Sequence, residues 1–156
     1  MWSGMKWGKM GAMLIGEFRH VIDSKKRISL PASFRRGVGK KLVITKGLDN
    51  CLFAYTLEGW KKVASELEKL PMTQSAARSF NRFILGSAFE VDLDTMGRVL
   101  IPDRLKDFAD LKSRVVIVGL NERIEIWDEK KWKENIDKVE KQADVLAERL
   151  SEVGMF

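Results

Sequence analysis

The chain has 156 residues, 45% hydrophobic and 32% charged, with 28 Lys+Arg against 22 Asp+Glu and a net charge of +6. That is enough apolar material for one compact domain or two small repeats; no apolar run approaches the roughly 18 residues of a membrane helix, and the charge argues for a soluble protein. One cysteine, Cys51, excludes an internal disulfide framework and fits a reducing cytoplasm, and with one histidine, His20, it cannot build a Cys/His zinc cage within one chain.

The opening stretch, MWSGMKWGKMGAM, lacks a continuous apolar core followed by a small-residue cleavage site and makes a poor signal peptide. Residues 15–22 read as extended, ending at Asp23. Residues 27–30, RISL, form a short strand closed by Pro31. Proline suits the first turn of a helix, so PASFRR opens a short one. KLVITKG reads as a strand, LDN as a tight turn of the kind Asx residues favour, and CLFAY as the return strand of a hairpin. Over 57–70, Leu57, Trp60, Val63, Leu67 and Leu70 recur at helical spacing, with Thr56 placed to cap. In the connector 71–84, Thr73 can cap a helix that carries Ala77, Phe80 and Ile84 on one face.

From residue 85 the pattern starts again. IDSKKRISLP, from Ile22, and LDTMGRVLIP, from Leu93, align Asp23 with Asp94, Arg27 with Arg98 and Pro31 with Pro102. Phe34 then meets Leu105. After one inserted residue, VITKGLDNCLFAY faces VVIVGLNERIEIW, and Trp60 matches Trp132. Two copies of this length suggest a pseudo-two-fold unit rather than a solenoid. The final stretch, 128–150, carries Trp132, Ile136, Val139, Ala143, Leu146 and Leu150 in a heptad-type stripe, with Asp128 as N-cap. The preferred reading packs that stripe on the chain's own core; the other packs its outer end on a neighbouring subunit. The expected organisation is an N-terminal extension (1–12), a first repeat with its helix (13–70), a helical connector (71–84) and a second repeat with a long C-terminal helix (85–156). The class is α+β.

The charge is uneven. Residues 1–70 hold 14 basic and 6 acidic residues; residues 71–156 hold 14 and 16. Within 19–41 stand Arg19, Lys25, Lys26, Arg27, Arg35, Arg36, Lys40 and Lys41 against Asp23 alone, a cluster suited to phosphate polyanions by counterion release. The spacing of Asp23 to Arg27, and of Asp94 to Arg98, suggests a turn capped by the carboxylate with a local ion pair to the arginine, bidentate if geometry allows. An exposed ion pair contributes only about 0–1 kcal/mol, a thin reason to have the arrangement twice. An arginine held by a carboxylate is a good reader of phosphate or guanine edges. The copies differ between the bracketing residues. Gly97 suits a positive φ, whereas Lys26 in the same place carries a conformational cost and an extra charge. By that charge the first copy is expected to carry most phosphate contacts, with the second contributing Arg98 and packing.

GEFRHVIDSKKRISLPASFR, KGLDNCLFAYTLEGW, GSAFEVDLDTMGRVLIP and NERIEIWDEKKW together resemble the MraZ family of bacterial transcriptional regulators, which is similar to the SpoVT-AbrB type. The resemblance covers residues 13 to about 150. It implies two swapped-hairpin β units forming a small barrel decorated with helices, and assembly into an octamer-like ring. It also implies binding of double-stranded DNA at repeated promoter boxes of the division and cell-wall gene cluster, usually as a repressor, in the cytoplasm and at the nucleoid. The expected DNA-binding residues are Arg19, Asp23, Lys25, Lys26, Arg27, Arg35, Arg36, Asp94 and Arg98, the Asp–Arg pairs by motif match. Lys26 departs from the glycine common in the family. Residues 1–12 precede the family's usual start near Met13, and methionines at 1, 5, 10 and 13 make a misplaced start a reading of that extension.

An enzyme is disfavoured. The chain has no Gly-rich phosphate loop and no G-x-S-x-G elbow, and its acids lie mostly among lysines on helix surfaces. His20 and Cys51 read as structural, and no cofactor, metal, small-molecule substrate or membrane is expected. The alternative kept open is a nucleic-acid-binding or scaffold ring without sequence readout, although the aromatic residues fall at core-like spacings and leave no stacking platform for single strands.

Overall fold

The computed structural model describes residues 14–154; the extension expected over 1–12 lies outside them. In chain order the elements are β1 (Leu14–Val21), β2 (Arg27–Ser29), α1 (Ala32–Val38), β3 (Lys41–Lys46), β4 (Leu52–Thr56), α2 (Leu57–Glu68), α3 (Ser75–Ile84), β5 (Phe89–Asp92), β6 (Arg98–Leu100), α4 (Asp103–Phe108), β7 (Arg114–Asn121), β8 (Ile124–Asp128) and α5 (Glu129–Ser151). Each repeat supplies a leading strand, a three-residue strand, a short helix and a hairpin. Both short helices begin directly after a proline, Pro31 and Pro102. In the hairpin turns Asp49, Asn50 and Asn121 take positive φ, the conformation that Asx side chains tolerate best.

The repeats interlock by exchanging leading strands. β1 of the first pairs antiparallel with β7 of the second, Val21 opposite Arg114; β5 of the second pairs with β3 of the first, Asp92 opposite Lys41. The hairpins meet through β4 and β8, giving a six-stranded sheet in the order β1-β7-β8-β4-β3-β5. β2 and β6 form a separate ribbon, Ile28 opposite Val99. The repeats align differently from the sequence reading. The second copy carries two more residues between its proline and its strand, and its hairpin is one residue shorter.

The sheet does not close into the expected barrel. β1 and β5 remain its edges. Each passes through an Asp–Arg turn into the ribbon, which covers the core between them instead of bridging them by hydrogen bonds. Alternation along the strands drives Leu42, Ile44, Leu52, Ala54, Val115, Ile117, Ile124 and Ile126 to one face. Ile28 and Val99 from the ribbon, and Phe34 and Leu105 from α1 and α4, close over that face with at most 1% of their surface exposed. Burial of a side chain as large as Phe34 contributes about 1.5–3 kcal/mol. Gly119 makes room for it: a Cβ there would stand 2.6 Å from Phe34 Cζ.

The opposite face holds a smaller cluster of Cys51, Val116, Val118, Trp127 and Trp132, with Phe53 and Ile136 against it. Here the stripe of α5 departs from its preferred reading. Trp132 is buried, Ile136 packs beside it and Val139 and Leu146 are half-buried, but Ala143 and Leu150 are exposed. The helix runs 23 residues, roughly 35 Å at 1.5 Å per residue, and Trp132 in its first turn is its one buried residue among the described ones.

Thr56 caps α2, its Oγ1 accepting from the Gly59 N–H at 3.0 Å. The other two expected caps differ. Asp128 stands at the N-cap position of α5, but its carboxylate accepts the Lys112 N–H at 3.2 Å and so ties down the approach to β7. Gln74, not Thr73, precedes α3 and makes no side-chain cap. Among the described residues no helix is long and apolar enough to cross a membrane.

Candidate nucleic-acid interface

Both Asp–Arg turns are built by one carboxylate. Asp23 Oδ1 accepts the Lys25 N–H at 2.8 Å and the Arg27 N–H at 2.9 Å, while Oδ2 accepts the Arg27 Nε–H at 2.8 Å. Asp94 does the same for Met96 (2.9 Å), Arg98 (2.9 Å) and Arg98 Nε (2.8 Å). The backbone closes identically: Asp23 and Arg27 join at 3.0 Å, Asp94 and Arg98 at 2.9 Å. Those bonds hold both carboxyls below the usual carboxylate range, the arginine backbone N–H being the largest cause and burial opposing it. The ion pair is not bidentate. One oxygen is spent on backbone N–H groups, so each guanidinium is held by its Nε edge alone. Neither of its Nη groups makes a hydrogen bond to protein among the described residues, which leaves them for a ligand.

The ribbon places both arginines together. Ile28 and Val99 point inward, so by strand alternation Arg27, Ser29, Arg98 and Leu100 share the outer surface. Arg27 pairs with Leu100 and Ser29 with Arg98, which makes the arginines diagonal neighbours about 7–8 Å apart. Pairing of β2 with β6 puts the two copies' arginines on one face.

The residues between the brackets act across the repeats. Lys26 adopts φ 62° and Gly97 φ 74°, so Lys26 does take the strained conformation its position demands. Its carbonyl accepts the Ile101 N–H, and the Gly97 carbonyl accepts the Leu30 N–H, both at 2.9 Å, stitching each turn to the far side of the ribbon. The Lys26 ammonium pairs with Asp103, the first residue of α4. Arg35 of α1, its Nε donating to the Leu30 carbonyl at 3.1 Å, lies against Gly97. A Cβ at residue 97 would fall 2.7 Å from Arg35 Cδ and 2.8 Å from Cζ.

The expected charge contrast between the copies is therefore reduced. The first turn's extra lysine is matched by an aspartate of the second repeat, while the second turn receives an arginine of the first. Lys25 stays exposed beside Arg27. Arg36, one residue on from Arg35 and about 100° round the helix, faces a different depression with Lys40, Lys41 and Glu58. Arg19 lies on the exposed side of β1, 2.9 Å from Glu17 and 3.8 Å from Glu129. Arg27, Arg98, Lys25 and Arg35 thus gather at the ribbon, and Arg19 and Arg36 stand apart. Asp103 escaped the sequence reading, since an acid at a helix start is ordinarily accounted for by the helix itself. The only signal was the missing glycine at residue 26, which leaves a side chain in need of a partner.

His20 is half-buried, and burial, then the nearby Arg35 charge, hold its pKa below the ordinary histidine value. Cys51 is fully buried, its thiol pushed far up by desolvation and its Sγ donating to the Leu48 carbonyl at 3.2 Å. Both fit structural roles.

The chain matches a family model twice, over residues 13–83 and 84–152; the family is described as "MraZ protein, putative antitoxin-like". It is 43% identical over 143 residues to the transcriptional regulator MraZ of Caldicellulosiruptor saccharolyticus, covering 92% of this chain and all of that protein. To the protein of the same name from Caldicellulosiruptor bescii it is 45% identical with the same coverage. To that of Moorella thermoacetica it is 45% identical over 138 residues, 88% of this chain and 96% of the relative.

Proposed function

This chain belongs to the MraZ family, and from that premise we propose that it is a transcriptional regulator, not an enzyme, that binds double-stranded DNA sequence-specifically through its arginine ribbon. The observation that carries the reading is the pair of diagonal arginines, each anchored at Nε by a carboxylate and making no protein hydrogen bond through its Nη groups among the described residues. A pre-oriented guanidinium suits the N7 and O6 acceptors of guanine or a phosphate. Lys25 and Arg35 add phosphate contacts beside it, Arg19 and Arg36 more distant ones, and Asp23 and Asp94 position the readers.

The protein acts as a repressor on repeated boxes upstream of the division and cell-wall genes, in the cytoplasm and at the nucleoid. It works as a ring oligomer of this chain, octamer-like in size. The open edges β1 and β5 and the exposed apolar residues of outer α5 support self-association. A ring converts several weak contacts into one strong attachment when boxes repeat in register.

The test is a gel shift at fixed salt with three probes: the duplex upstream of the protein's own gene, a scrambled duplex and RNA. Wild type should retard the first selectively, and the Arg27→Ala/Arg98→Ala double variant should lose that shift while staying folded and oligomeric. Equal retardation of all three probes would favour a nucleic-acid-binding ring without sequence readout.

A further inference from the structure

A second cationic feature lies away from the arginine ribbon. Lys46, the last residue of β3, places its Nζ 5.7 Å from the centroid of the Phe83 ring and 5.3 Å from that of Phe108. The two rings meet edge to face, 5.7 Å between centroids. The ammonium is half-buried against π faces and finds no carboxylate within ion-pair range among the described residues. It opens on a cavity of about 310 Å³ lined by Lys46, Ser87, Phe89, Arg104, Leu105 and Phe108. Lys46 comes from the first repeat, Ser87 from the lead into β5, Phe89 from the start of β5, and the other three from α4. None of Asp23, Arg27, Asp94 or Arg98 lines it.

The lining is chemically lopsided: two basic side chains, one hydroxyl, three apolar side chains and no acid. Elsewhere basic side chains beside this core find acids, Lys26 with Asp103 and Lys41 with Asp92 at 3.2 Å. Lys46 is half-buried and Arg104 exposed at its mouth; like charges facing one concavity repel one another, and cation–π contact replaces a counter-ion only in part. An anion placed between them relieves the repulsion and gains charge-assisted hydrogen bonds, the arginine offering a planar fork and the lysine a point charge. The phenylalanine walls suit an apolar body behind that head. The volume falls at the small end of ligand pockets.

We infer that this cavity binds a small anion consisting of a phosphate or carboxylate head on an aromatic or short aliphatic body, the head between Lys46 and Arg104 and the body against Phe89 and Phe108. The inference does not depend on the DNA-binding reading, and its test contains no DNA. Phenyl phosphate is titrated into the full-length ¹⁵N-labelled protein at fixed ionic strength, with benzyl alcohol as the uncharged control. The expected result is saturable amide shifts at residues 46, 87 and 104–108 with millimolar or tighter affinity, and none with benzyl alcohol. Lys46→Met keeps the aliphatic stem against the two rings, and Arg104→Gln keeps the exposed helix position. Each should fold with an otherwise unchanged spectrum and bind at least tenfold more weakly. The inference is overturned by an absence of saturable shifts at the cavity, by equal shifts with benzyl alcohol, by unchanged affinity in both variants, or by shifts confined to residues 23–27 and 94–98.

Discussion

The first turn encloses Ser24, Lys25 and Lys26 between its aspartate and arginine; the second encloses Thr95, Met96 and Gly97. All three residues differ, yet the corresponding hydrogen bonds agree to within 0.1 Å. The carboxylate is what shapes the turn, since it takes two backbone N–H groups and the arginine Nε whatever lies between. The enclosed residues decide what crosses from the other repeat: an aspartate drawn to Lys26, an arginine laid over Gly97. The comparison teaches that charge counted along a repeated sequence omits what the other repeat brings to each turn.

The comparison breaks most severely at the ribbon that joins the turns. Ile28→Ala should cost about 2–5 kcal/mol in denaturant unfolding. Because Ile28 faces Val99 across the two-fold, the Arg98 Nε–H resonance should broaden or shift along with that of Arg27. A change confined to Arg27 would show two independent turns.

Residues 26 and 97 come next. Gly97→Ala forces a side chain into φ 74° and onto Arg35 and should cost about 1–3 kcal/mol. Lys26→Gly removes the same strain and gives up only an exposed ion pair, so its unfolding midpoint should stay close to that of wild type. Equal losses in the two variants would contradict the assigned roles.

Asp103→Asn should then sharpen the charge argument. With Lys26 released, promoter affinity measured by fluorescence anisotropy should rise a few-fold at low salt, and the slope of log K against log salt should steepen by about one. An unchanged slope would place Lys26 away from the phosphates. The smallest effect concerns pH. Asp23 and Asp94 have folded pKa values below their unfolded ones, so their stabilisation is complete above the ordinary carboxylate value and is lost as pH falls through the lower, folded values. Carboxyl ¹³C titrations should show both midpoints depressed alike; one titrating normally would mean its bracket is open in solution.

Much of this architecture is legible in the residues. Pro31 and Pro102 mark helix starts, Asx residues mark the turns, and continuous apolar runs such as Leu42–Ile44 and Val115–Ile117 mark strands buried on both faces. The Asp-to-Arg spacing marks the brackets. The rest depends on partners far apart in the chain. Nothing local to Val21 states that it will lie opposite Arg114, and without that exchange the ribbon, the shared arginine face and the open sheet cannot be deduced. The outer stripe of α5 has a sound period, but period says nothing of how far the underlying sheet extends. Asp128 resembles a cap until the Lys112 N–H competes for its carboxylate.

The central claim is that Arg27 and Arg98 are equivalent members of one reading surface, against the expectation from charge that the first dominates. It is tested most directly by measuring the affinity of Arg27→Ala and Arg98→Ala for the same promoter duplex at one salt concentration, with oligomeric state and folding checked for both. The account predicts losses of about ten- to a hundredfold for each, as for one good guanine contact, and within about threefold of one another. Wild-type affinity in Arg98→Ala, with binding abolished in Arg27→Ala, would contradict it.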